Sequence, residues 1–74
     1  MGGTLKAYYM PSGAFLAIYT LSGELVRKAP EVNGTALWDG KNTNGMPVST
    51  GVYYYTVQLG EKVLLIGKLL VNTS

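Results

Sequence analysis

Seventy-four residues with no cysteine and no histidine make one small domain. It lies near the lower size limit for a self-sufficient core, without disulfide staples or the usual zinc and iron ligands. Net charge is +2, spread over Lys6, Arg27, Lys28, Lys41, Lys62 and Lys68 in no block longer than two, unlike the clustered footprint of a nucleic-acid binder. The longest purely aliphatic run, residues 63–66, is too short to cross a bilayer, and residues 1–6 lack the basic-then-apolar pattern of a signal peptide.

Met1-Gly2-Gly3 reads as an expression start, and residues 4–74 as a single domain cut from something longer. Residues 5–10 are the first expected strand, stopped by Pro11-Ser12-Gly13. Residues 14–20 follow as a strand apolar on both faces, then the turn Leu21-Ser22-Gly23-Glu24 and a third strand over 25–28. A helix competes here, because Phe15, Ile18, Leu21 and Leu25 fall near helical spacing; Gly23 and the aromatic and β-branched content argue against it. Residues 29–34, with Pro30 and Asn33-Gly34, read as a loop, and 35–38 as a short strand.

Residues 39–50 form a long connection carrying Asp39-Gly40, Asn44-Gly45 and Pro47, enough for two turns. Residues 51–58 have the strongest strand propensity, residues 59–62 turn the chain back, and 63–71 close the domain. Six strands at this spacing predict an all-β fold, a small antiparallel β-sandwich. Alternation on the closing strand sends Val63, Leu65, Gly67, Leu69 and Val71 inward and Lys68 outward. Leu64, Ile66 and Leu70 then make an apolar outer face expected to meet another domain or subunit.

Catalytic constellations fail. Glu24, Glu31, Asp39 and Glu61 are scattered in or beside turns, and no spacing selects a serine–lysine pair, so no enzyme and no cofactor is expected. Asp39, Asn42 and Asn44 supply oxygens at close intervals, but in a helix-loop-helix calcium register Gly40 and Gly51 occupy the positions that require carboxylates. These side chains read instead as turn caps, and no metal is expected. In the tyrosine run, Tyr53 and Tyr55 share one face and are taken as core. Tyr54 is displayed on the other and is the one candidate sugar contact. Trp38 reads as a plug between the sheets with its N–H on a loop carbonyl.

The pattern Trp38-Asp39-Gly40-x-Asn42-x-x-Gly45-x-x-Val48-x-x-Gly51-Val52-Tyr53-x-Tyr55, with Ile18-Tyr19, Gly23-Glu24-Leu25-Val26-Arg27 and the closing Lys68-Leu69-Leu70-Val71, resembles the FlgD-like immunoglobulin-type domain and the type A C-terminal sorting domain of the type IX secretion system. The likeness covers nearly the whole chain; Thr20 stands where an aspartate is frequent. It implies an immunoglobulin-like sandwich of six to seven strands at the C-terminus of a secreted or cell-surface bacterial protein. Val26, Trp38, Gly40, Gly45, Gly51, Tyr53 and Tyr55 would be scaffold, and Lys68 to Val71 would carry export information.

The expected role is therefore a non-catalytic sorting or docking appendage acting through Leu64, Ile66, Lys68, Leu69, Leu70 and Val71. Its expected partners are a neighbouring domain of the parent polypeptide and secretion or surface-attachment machinery. An accessory module beside a glycoside hydrolase, touching sugar weakly through Tyr54, and an assembly module like a flagellar hook cap stand as alternatives. Beside the full sandwich of that family the N-terminal part is expected to be absent and a strand edge open, so an isolated copy is expected to hide that edge by dimerising or exchanging strands; neither nucleic acid nor a membrane span is expected.

Overall fold

A computed structural model describes residues 5–72; the Met1-Gly2-Gly3 start and the outermost ends of the 4–74 domain lie outside the described residues. Six strands run β1 (Leu5–Ala7), β2 (Phe15–Tyr19), β3 (Leu25–Pro30), β4 (Ala36–Trp38), β5 (Gly51–Leu59) and β6 (Lys62–Val71). They form two antiparallel sheets, β1–β4 and β3–β2–β5–β6, and the chain is a small all-β sandwich. The segment with helical spacing is a hairpin: Gly23 takes φ +93°, a left-handed value glycine adopts without strain, and the Thr20 amide donates to the Glu24 carbonyl at 2.9 Å.

The two layers meet through one inner face. The larger sheet supplies Leu16 and Ile18 from β2, Val26 from β3, Tyr53 and Val57 from β5, and Val71 from β6. The smaller supplies Ala36 and Trp38 from β4, while Met10 and Ala14 of the β1–β2 connection close one end. Because β4 is three residues long, it pairs only with Leu5, Lys6 and Ala7, and the expected strand over 5–10 stops at Ala7. Tyr9 then turns out with φ +57°, and the Met10 amide binds the Gly34 carbonyl at 2.9 Å as its side chain enters the core. In contrast, β3 runs on to Pro30, past the expected boundary. Proline is tolerated there because β3 is an edge strand and needs no second ladder donor.

Two bulges reset the alternation. On β3, Val26 is the extra residue, since Ile18 pairs with Arg27 and Tyr19 with Leu25. The bulge releases the Val26 carbonyl, which accepts both the Thr43 amide and the Thr43 hydroxyl at 3.0 Å, so it anchors the 39–50 connection. On β6, Leu64 is extra, since Val57 pairs with Leu65 and Gln58 with Val63.

The β6 bulge overturns part of the expected burial. Gly67, Leu69 and Val71 point inward as alternation requires, but Val63, paired with Gln58, has moved to the outer face and is exposed. Leu65 keeps inward parity beside Val57 yet stays 53% exposed, because the two-stranded layer does not reach over it. Leu64, expected on the outer face, instead lines the inner side with Leu65. A strand shifted by one residue exchanges its faces, and here the exchange is confined to residues before the bulge.

Candidate functional site

β6 ends the larger sheet, and its outer edge is open among the described residues. From Leu65 to Val71 the strand pairs regularly with β5, which holds it extended and leaves alternate main-chain donors and acceptors facing away. On the outer face of this stretch lie Ile66, Lys68 and Leu70, opposite Thr56, Tyr54 and Val52. Ile66 is 64% and Leu70 72% exposed, far more than isolated strand residues need. Thr56 and Ala17, at the middle of the same face, are buried beneath larger neighbours, so the apolar surface is concentrated towards β6.

Of the six residues expected to dock, the structure brings Ile66, Lys68 and Leu70 together on one surface. The other three fall elsewhere. Leu64 lines the opposite face, Leu69 is half-buried on the inner side against Tyr53, and Val71 is fully buried in the core. Val71 therefore acts as scaffold, and so does Leu69 in large part, because side chains facing the sandwich interior have no surface to offer.

Tyr54 sits half-buried on the outer face between Tyr19 and Lys68, its cross-strand partners. The Lys68 ammonium is 5.5 Å from the centre of the Tyr54 ring, so a cation already covers the ring where a sugar would stack. Tyr19 lies in the same patch, its hydroxyl accepting from Gln58 Nε2 at 3.3 Å. Tyr8 does not join them; it lies with Tyr9 at a cleft on the other side of the sheet. That cleft, about 330 Å³, runs between β1 and β6 and is lined by Ala7, Tyr8, Tyr55, Val57, Leu64 and Leu65. It is the inner side of β6 left uncovered by the short second layer.

Most of the residues expected to be scaffold join β5 to β4 and to the 39–50 connection. Trp38 is buried, its indole N–H donates to the Lys41 carbonyl at 2.8 Å, and its ring meets Tyr53 at 6.2 Å between centroids. The Tyr53 hydroxyl donates to the Ser49 carbonyl at 2.6 Å, tying β5 to the connection that precedes it. Gly40 is buried with φ +81° while its carbonyl accepts the Val48 amide, and Gly45 takes φ +78° in the turn closed by Asn42. Asn42 Oδ1 accepts the Asn44 and Met46 amides and Asp39 Oδ1 the Lys41 amide, the capping pattern expected of these side chains. Among the described residues no three His, Cys, Asp or Glu side chains gather closely enough to hold a metal ion. Gly51 opens β5 with ordinary φ and free space at its Cβ position, so geometry alone would admit a side chain there.

Two important residues escaped the sequence. Gly67, across from Tyr55, lies directly under that ring, and a Cβ there would collide with it. Glu31, one of the scattered acids, accepts the Gly34 amide at 2.9 Å and the Gly13 amide at 3.1 Å, fastening two loops. These bonds, Gly34 first, hold its carboxyl below the ordinary carboxylate value. The apposition of Tyr55 and Gly67 could have been suspected from an aromatic and a glycine on adjacent strands; the Glu31 staple has no local sequence mark.

No family model, curated protein or solved structure matches this chain. No helix among the described residues is long and apolar enough to cross a membrane.

Proposed function

We propose that this chain is a non-catalytic docking appendage of a secreted or cell-surface bacterial protein, engaging its partner through the open edge and outer face of β6. One observation carries the reading: Ile66 and Leu70 stand exposed beside Lys68 along an extended strand whose outer edge is unpaired among the described residues. Such an edge provides main-chain hydrogen bonds and the apolar side chains provide area, the two contributions on which strand addition depends. The resemblance to FlgD-like and type IX sorting domains points the same way, since it assigns the export information to the chain's last strand.

A reporter fusion tests it. Deleting the end of β6 is a poor perturbation because it removes the buried Val71 and with it the fold. The double variant Ile66→Ser and Leu70→Ser alters only exposed side chains. Export or surface attachment of the fused reporter in a type IX-competent host should fall severalfold while the melting temperature of the domain changes little. Undiminished export by this variant, with the fold intact, removes the docking role.

A further inference from the structure

We propose that the open edge of β6 accepts an extended segment of another protein in which a carboxylate lies opposite Lys68 and apolar side chains lie two residues to either side. This rests on the docking reading above and adds the chemistry of the partner. Lys68 is the midpoint of the regular stretch that follows the bulge, with three residues on each side from Leu65 to Val71. A strand pairing with the whole stretch therefore centres on Lys68. Directly opposed residues share a face, so the residue facing Lys68 lies on the exposed side of the sheet, flanked there by the residues facing Ile66 and Leu70.

Charge decides what that central residue is. Neither β5 nor β6 contains an acidic residue, so Lys68 has no carboxylate on its own or the adjoining strand. Its ammonium rests instead over the Tyr54 ring, on the side away from the open edge. A second copy of the chain is the obvious competitor, since its own β6 is apolar and extended. Yet the twofold register that uses all seven residues sets Lys68 against Lys68. Moving the centre to Gly67 or Leu69 shortens the paired run to five residues and leaves the two lysines diagonal neighbours. Like charges across an antiparallel pair oppose association and opposite charges favour it, so Lys68 weakens self-pairing and selects an acid-bearing strand.

Three fluorescein-labelled, end-capped peptides test this: Thr-Val-Thr-X-Thr-Val-Thr with X as Glu, Gln or Lys. Binding is read by anisotropy at about 20 mM salt and located by amide shifts in residues 65–71. The Glu peptide should bind on the order of tenfold more tightly than the Lys peptide, with Gln between them and the gap closing at about 0.5 M salt. Lys68→Glu should invert the order and Lys68→Gln should flatten it, each variant first shown to be folded by circular dichroism. Equal binding of all three peptides would overturn the acidic partner and leave strand docking standing. Binding by none of them would overturn both.

Discussion

Replacing Gly67 by alanine places a methyl against the Tyr55 ring, and the consequence separates two opposed effects. Alanine is the better strand residue, because glycine loses more backbone freedom on folding; in open space the exchange should stabilise by about 0.5–1 kcal/mol. At Gly67 the new Cβ would collide with atoms at the far end of the Tyr55 ring. The ring must swing off the strand, giving up its packing against the core cluster, and overpacking of this kind costs roughly 1–3 kcal/mol. The collision outweighs the propensity, so Gly67→Ala should lower stability by about 1 kcal/mol, or ~4–8 °C in melting temperature for a domain of this size. In a Tyr55→Ala background the obstacle is gone, and the same exchange should raise stability by about 0.5 kcal/mol. Urea unfolding followed by the fluorescence of Trp38, the single tryptophan and 1% exposed, gives all four corners of the cycle. The sign reversal is diagnostic. If Gly67→Ala stabilises the protein with Tyr55 in place, the ring swings aside into the adjoining cleft at little cost and the overpacking argument is wrong.

Tyr53→Phe removes the hydroxyl that donates to the Ser49 carbonyl and should cost about 1 kcal/mol in urea midpoint analysis, with little change in the circular dichroism of the folded state. Glu31→Gln should lower the melting temperature at neutral pH. Because the folded carboxyl is held below its ordinary value, the stability it contributes is present above the unfolded-state value and lost as pH falls through the folded one, so wild type and variant should converge in acid. Melting curves from pH 7 down to pH 3 check this, and a constant gap would place the effect outside the carboxylate. Lys68→Val removes the charge at the centre of the open edge and should raise the share of dimers or larger species over that of the wild type in sedimentation velocity at the same concentration. Unchanged sedimentation would show that the edge is guarded by something other than Lys68.

Much of the architecture was legible where the chemistry is local. Gly23, Asn42 and Gly45 mark turns because their backbone or side-chain requirements are met within a few residues. Trp38 was readable as a plug with its N–H on a loop carbonyl because a large apolar ring with one donor, placed beside a polar connection, has few other solutions. Tyr53 and Tyr55 were readable as inward from alternation, since β5 carries no extra residue between them. On β6 the same rule worked for Ile66, Lys68 and Leu70, after the bulge, and failed for Val63 and Leu64, at or before it. For that reason three of the six residues expected to dock share the exposed outer face, and Val71 lies apart from them because the core reaches the strand's last residue.

From residue order alone came the six strands, their turns and the core aromatics, because period, β-propensity and turn chemistry act over short stretches of chain. Only the assembled sandwich decided where the ladders slip by one residue, which side of β6 is left bare, that Tyr55 roofs Gly67 and that Glu31 clasps two loops. Each of these depends on what stands across from a residue in space. A three-residue β4 limits how far the second layer extends, and no property of β6 itself records that its partner layer is short.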